Sequence, residues 1–360
     1  MRPPEPTLDE SAQWDQFVER AEDGHSLQSW GWGVLKAQYG WKALRVVVPS
    51  SGDIAAAAQV LVRELPLGLG KIGYVPRGPV VDFEDTEVLE RLVAELKSLI
   101  DEEKLISLKI EPEVLESGGA DRIRAHLARL GFIESAPVQR LSSIWVDLTA
   151  PEEDILARMK QKTRYNIRLA EKKGVRVITG SEADISRWYE LYKTTARRDG
   201  FTIHQREYYR RVLATMGKHN HARLLIADHE GEMIAAIMVF QFGRGAQYMY
   251  GASAGHKRNL MAPYLLQYEA IRWAKLNGAQ YYDLWGIPDR LVESDPLWGV
   301  YRHKRGYGGQ EVRYIGAFDL VRSPVQHALY ARMAEPAYKW ISTKRVDATR
   351  AERELRRRIR

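Results

Sequence analysis

Hydrophobic and polar positions alternate with period two over residues 44–48, break at Ser51-Gly52-Asp53, and resume over residues 54–63. Alternation sends successive side chains to opposite faces of a strand, and the break supplies the turn of a hairpin. A short strand is then expected at 72–74, a helix at 88–99 and a strand at 106–110. The same order recurs half a chain later: strand 223–227, turn Glu230-Gly231, strands 233–242 and 247–251, helix 262–277 and strand 280–284. Leu265, Tyr268, Ile271 and Ala274 give this second helix one apolar face. Between the two units, Pro151 at a first turn opens a single expected helix over 152–173. Such a repeat predicts two similar units, residues 1–148 and 149–320, with 321–360 packing back on the first. No low-complexity linker separates them, so close packing is expected.

Hairpin, strand, helix, strand is the order of the GNAT-like (acyl-CoA N-acyltransferase) fold. The expected class is therefore α/β (α+β): two tandem GNAT-like domains with mixed sheets flanked by helices. In that fold a helix N-terminus after the central strand receives the cofactor pyrophosphate on free backbone N–H groups. Loop 254–263 takes that place here. An acetyl-CoA site asks for Arg/Gln-x-x-Gly-x-Gly/Ala, because a side chain at the middle glycine blocks close approach. Counting from Lys257, that position is Leu260. The scaffold is an acyl-transfer scaffold that asks for a different donor.

Composition narrows the chemistry. A chain of 360 residues with 45% hydrophobic content can build about two packed cores. No apolar run approaches the roughly 20 residues that span a bilayer, and the polar, acidic start is not a signal peptide. Cysteine is absent, which removes disulfides, thiolate metal sites and thioester intermediates, and suits a cytoplasmic protein. No HExxH, Walker loop, GxGxxG or GxSxG is present, and neither a metal nor a cofactor is expected.

Charge is uneven. Residues 1–150 hold 16 Lys/Arg against 24 Asp/Glu, a net of −8, whereas the remainder holds 38 against 23, a net of +15. A polyanion is expected to meet the second half. Its tail is basic too, with Lys344, Arg345 and six arginines from 350 to 360. Lys160, Arg164, Arg168 and Lys172 recur every fourth residue as one cationic ridge. Like charges so spaced cost a helix about 0.2–0.5 kcal/mol per pair, and a phosphate backbone along the ridge turns that cost into affinity. The competing reading is a solvated face partly compensated by Glu171. Arg302, His303, Lys304 and Arg305 precede the turn Gly306-Tyr307-Gly308-Gly309. An ammonium there can stabilise an oxyanion and glycine admits a bulky ligand, against the plainer reading of a surface turn. Trp285 and Trp298 could stack a terminal adenosine. In the first half, a core role explains Trp30 and Trp32 but not the cations Lys36 and Arg77, which are expected among the substrate-binding residues.

These motifs, QSWGWGVLK with a following GW, VPRGPV, KTRYNIRLAEKKGV, ARRDGF, YGAS, MAPYLLQYEAIRWA, YYDLWGIP and YRHKRGYGG, jointly resemble the Fem family of peptidoglycan-bridge aminoacyltransferases. They run in family order from about residue 13 to residue 320. The resemblance implies two GNAT-like domains and transfer of an aminoacyl group from aminoacyl-tRNA to the stem-peptide side-chain amine of a peptidoglycan precursor. The precursor is UDP-MurNAc-pentapeptide or a lipid-linked form; the latter implies peripheral contact with the inner membrane face, without a spanning segment.

Position by position, Lys36 matches the lysine that binds precursor phosphate, and Thr202, Tyr208 and Tyr250 match positions lining the same groove. His204 stands where small members carry a phosphate-binding arginine, leaving Arg206 or Arg198 to take that duty. Glu111 falls where an acidic residue once invited a general-base role, and its strand end equally suits a structural ion pair. Lys304 matches the catalytic lysine, and His303 the aromatic that packs on the tRNA end. The ridge, with Arg302 and Arg305, is expected to meet tRNA. Only a short helix and a turn fit between Tyr208 and Arg223, so the chain resembles compact members without the helical hairpin of larger ones, which tilts the acceptor towards the soluble precursor. The alternatives are aminoacyl-tRNA-dependent transfer to a non-peptidoglycan amine, a GNAT-like N-acyltransferase with a small acyl donor, and a pure nucleic-acid-binding module.

Overall fold

In the computed structural model, which describes residues 8–65, 68–217 and 220–334, the chain opens with helices α1 (Leu8–Arg20) and α2 (Trp30–Ala37). Ser29 caps α2 by accepting from the Trp32 amide at 3.2 Å. The expected hairpin is β1 (Lys42–Ser50) with β2 (Asp53–Glu64), followed by β3 (Lys71–Val75), α3 (Thr86–Glu102) and β4 (Leu105–Ile110). Asp85 caps α3, and Leu89, Leu92, Val93, Leu96 and Ile100 form its buried stripe. Helix α4 (Ala120–Arg129) and strands β5 (Phe132–Ser135) and β6 (Ser142–Asp147) come next.

The second half contains α5 (Glu152–Arg158), α6 (Gln161–Lys172), β7 (Arg176–Gly180), α7 (Ile185–Asp199) and α8 (Arg206–Met216). The repeat then returns as β8 (Ala222–His229), β9 (Glu232–Phe242), β10 (Gly245–Ser253), α9 (Ala262–Leu276) and β11 (Tyr281–Asp283). Helix α10 (Trp298–Lys304), strands β12 (Gln310–Arg313) and β13 (Ala317–Val321), and α11 (Pro324–Leu329) follow. Helix α8 ends six residues before β8 begins, which leaves no room for a helical hairpin.

The two sheets run β1-β2-β3-β4-β13-β5 and β12-β6-β11-β10-β9-β8-β7. In each, the hairpin and third strand are antiparallel and the strand after the crossover helix is parallel to the third, β4 to β3 and β11 to β10. Two expectations change here. Strand β6 lies within residues 1–148, yet it pairs with β11 and β12 of the second sheet. Strand β13 begins at 317, before the expected return at 321, and inserts between β4 and β5 of the first. The exchange follows side-chain burial: Ile144 and Val146 enter the second core, Phe318 and Leu320 the first. The expected return of 321–360 falls partly outside the described residues, beyond 334.

The single helix expected over 152–173 is also broken. Met159 turns extended (ψ 147°) and separates α5 from α6. Arg164 folds back to donate to the carbonyls of Ala157, at 2.9 Å, and Met159. The Lys160 amide donates to Gly306 O at 2.9 Å, docking the start of α6 on the turn after Lys304. Gly306 permits this, since a Cβ there would sit 2.4 Å from Thr163 Oγ1. No helix among the described residues is long and apolar enough to cross a membrane.

Candidate active site

The aromatic motif of α2 places Lys36 beside β2, the β1 entry and α8. Its Nζ lies 5.4 Å from the Trp32 ring, 5.9 Å from Trp41 and 5.8 Å from Tyr208. No carboxylate of the described residues pairs with it. Burial, and then the charge of Arg63, bring its pKa down to about 8. Tyr208 is buried, hydrogen-bonded to Tyr250, and stacked on the His204 ring at 4.0 Å. Burial and the Lys36 charge hold His204 near 4, so at neutral pH it is an uncharged aromatic plate, not a phosphate cation. Thr202 is exposed on the same loop.

Neither expected substitute for the missing arginine joins this group. Arg198 is committed to Asp199, at 2.7 and 2.9 Å, and to Ser253 O at 3.2 Å. Arg206 reaches Ser186 Oγ at 3.4 Å, on α7. The second cation is instead Arg63, 5.1 Å from the far ring of the cage, Trp41. Only the fold reveals it, because nothing in VLVRE marks Arg63 as more than the end of a strand.

Arg77 is a further correction. Expected among the substrate-binding residues, it is buried inside the protein. It pairs with Glu113 at 3.3 Å, donates to Arg140 O at 3.1 Å and lies 3.7 Å from the Tyr314 ring centre. It joins the two sheets from within. Glu111 accepts from Tyr74 Oη, from Val138 N at 2.6 Å and from Gln139 N at 2.9 Å. With its lone pairs occupied by structural donors, it is an anchor and not a free base.

Lys304, the last residue of α10, is buried. Its ammonium donates at 2.8 Å to both Trp285 O and Gly286 O and sits 5.7 Å from the Tyr248 ring. Two of its three N–H groups are thus used and one remains. Burial lowers its pKa to about 7, Asp283 opposing and Arg140 assisting. His303 is half-buried between Tyr264, edge-on at 4.7 Å, and Tyr307, whose Oη is 3.4 Å from its Nε2. Burial and the Lys304 charge keep it near 4, a neutral imidazole.

A bulge in β10 divides two tyrosines between the lysine sites. The register with β9 shifts between Tyr248 and Tyr250, which face the adjacent partners Val239 and Met238. In a regular strand both would share a face. Here Tyr248 joins the Lys304 side and Tyr250 the Lys36 side. Gly251 accommodates Tyr248, whose hydroxyl would lie 1.8 Å from a Cβ at that position.

On the basic ridge, Lys160, Arg168 and Lys172 are exposed while Arg164 is turned inward. Arg302 and Arg305 are exposed, the latter 4.0 Å from Glu311. A cavity of about 520 Å³ lined by Trp145, Arg158, Arg244 and Tyr281 meets the Lys304 turn through Tyr307, Gly308 and Gly309 and includes neither lysine. Just before the α9 N-terminus, Leu260 is buried in the second core.

Tandem mixed sheets with these two lysine sites define an acyltransferase scaffold of the Fem type. The FemAB family model matches residues 10–124, 136–232 and 218–335, and the chain belongs to this family. Among its relatives are proteins named Lipid II:glycine glycyltransferase. That of Staphylococcus haemolyticus (strain JCSC1435) is 24% identical, over 96% of this chain and 97% of its own length. That of Staphylococcus aureus (strain MRSA252) is 22% identical, over 96% and 97%. The crystal structure of FemX superposes with a TM-score of 0.84 at 22% identity, covering 92% of this chain and 100% of that one. A tandem GNAT protein from the clavulanic acid biosynthesis pathway gives 0.54 at 14% identity, covering 88% and 97%. These structures share the fold.

Proposed function

We propose that this chain transfers an aminoacyl group from aminoacyl-tRNA to the stem-peptide side-chain amine of a peptidoglycan precursor. The observation that carries the reading is the pair of lysines, Lys36 partly buried and Lys304 buried, with no carboxylate of the described residues in ion-pair contact. Desolvating an ammonium is costly unless an anion compensates it. A ligand phosphate supplies that anion at Lys36, with Arg63 beside it, and Tyr208, Tyr250, His204 and Thr202 line the groove. A transient oxyanion supplies it at Lys304. Family membership and the relatives' names support the peptidoglycan acceptor, and the exposed Lys160, Arg168, Lys172, Arg302 and Arg305 support tRNA as donor.

The ester of aminoacyl-tRNA is already activated. The neutral acceptor amine, held about 3–3.5 Å from the carbonyl carbon, adds to it. The remaining N–H of Lys304 meets the oxyanion as it forms. Collapse breaks the ester C–O bond, the ribose oxygen leaves with a proton, and the amine nitrogen loses one to solvent or substrate. His303 lies beside the ammonium as a neutral plate against which the tRNA end packs.

The test is incubation of purified protein with charged tRNAs, glycyl-tRNA first, and either UDP-MurNAc-pentapeptide or the lipid-linked precursor. An RNase-sensitive mass increase of one aminoacyl residue on the acceptor is expected. Turnover with acetyl-CoA in the absence of tRNA overturns the reading.

A further inference from the structure

Lys304 does not hold its own position. Both of its acceptors are carbonyls of the segment after β11, and Trp285 there has φ +61°, a left-handed conformation that a bulky residue rarely adopts. Asp283 keeps the segment in that shape. Its Oδ1 accepts from the Trp285 amide at 2.6 Å and from Ser143 Oγ, and its Oδ2 lies 3.3 Å from Tyr314 Oη. The same hydroxyl is 3.1 Å from Glu113 Oε1, and Glu113 pairs with Arg77. Arg77 lies 5.4 Å from the Trp285 ring centre, and the His25 ring centre lies 5.9 Å from the same indole, tilted against it. The chain of contacts therefore runs from β3 and β4 of the first sheet, through Asp283, to the carbonyls that hold the ammonium.

We infer that Asp283 is the positioning residue of Lys304: it fixes the two acceptor carbonyls and supplies the negative charge that keeps the amine protonated. This rests on the reading of Lys304 as the oxyanion-stabilising group. The charged and titratable groups facing Lys304 are Asp283 on β11, Arg140 before β6, Tyr248 on β10 and His303 on its own helix. Of these, Asp283 alone favours the ammonium; burial and Arg140 both disfavour it. Around Asp283 stand Glu113, Arg77, Tyr281, Tyr282 and Tyr314. Burial raises Glu113 to about 7, with Arg77 opposing.

Asp283→Asn separates charge from geometry. The amide oxygen still accepts from Trp285 N and Ser143, and the NH₂ can donate to Tyr314 Oη while that hydroxyl donates to Glu113. The segment keeps its turn and the charge is gone. The ammonium is the active form of Lys304, so activity is present below its pKa and lost as pH rises through it. The expected result is a displacement of the alkaline limb of kcat by about one pH unit to lower pH, with acceptor KM unchanged. The Lys304 side-chain titration, followed by NMR of labelled lysine in the full-length protein, moves by the same amount. Asp283→Ala removes the turn as well, and lowers kcat at every pH.

A merely structural Asp283 gives a lower Tm with the kcat profile and the Lys304 titration both unmoved, and that overturns the inference. Should the Lys304 titration move while kcat does not follow, the reading of Lys304 is what fails, and Lys304→Met then retains its single-turnover rate. If Asp283→Asn does not fold, the titration is read in Glu113→Gln, which leaves the Asp283 carboxylate in place. No change in Lys304 is then expected, and a shift as large as one unit contradicts the assignment of the charge to Asp283.

Discussion

At the residue scale, the cation in the aromatic cage has a pH signature. If Lys36 binds phosphate as proposed, it does so as an ammonium, protonated below its pKa of about 8 and neutral above it. Calorimetric Kd for the nucleotide-linked precursor should therefore rise as pH passes through 8, and Lys36→Met should weaken binding at pH 7 and flatten that dependence. A Kd indifferent to the substitution at pH 7 would make Lys36 a packing residue. Arg77 makes the opposite case. Arg77→Met leaves Glu113 buried beside Asp283 without its cation, with an expected stability loss of about 3 kcal/mol. Glu113 escapes the penalty only when protonated, so the denaturation deficit should be smaller at pH 5 than at pH 8. The sequence exposed the residue types at both sites, since WGWGVLK carries a cation that no core explanation covers and RHKRG sets four basic side chains before a glycine turn. It could not tell a ligand cation from an internal one. Arg77 was expected at the substrate and lies inside an ion pair; Arg63 was passed over and stands by the cage. Charge partners come from strands distant in sequence, which local pattern does not report.

At the element scale, periodicity located the hairpins, the crossover helices and the parallel strands within a few residues, because each buries a face that local spacing displays. It missed the break at Met159, since residues 152 to 173 contain neither Gly nor Pro to mark an end, and the docking of Lys160 on Gly306 shows only in the fold. The break changes the ridge. Arg168→Ala and Lys172→Ala should each weaken tRNA binding and reduce the slope of log K against log salt by about one. Arg164→Ala should lower Tm instead, because its guanidinium closes the carbonyls at the end of α5. A salt slope reduced as much by Arg164→Ala as by Arg168→Ala would contradict the inward placement. The bulge in β10 was equally hidden: QYMYGAS reads as simple alternation, yet Tyr248 and Tyr250 serve opposite faces.

At the scale of the molecule, each half completes the other. β6 closes the second sheet and β13 the first, and Arg77, Glu113, Tyr314 and Asp283 lock the two together from inside. The repeat was legible and the exchange was not, because strand partners are chosen by tertiary burial rather than by neighbouring sequence. A fragment ending at residue 148 lacks the strand between β4 and β5 and carries β6 unpaired. Its amides are expected to exchange as an unfolded chain, whereas native-like protection would show that the first sheet closes without β13. This mutual completion places Lys304 on a seat held from both halves, and the proposal is that its ammonium there meets a transient oxyanion. The direct test is the single-turnover rate of Lys304→Met with saturating charged tRNA and precursor. A rate lower by about 10²–10³, with both substrates bound as tightly as in the wild type, is predicted; a near wild-type rate under saturation contradicts the account and leaves Lys304 a binding residue.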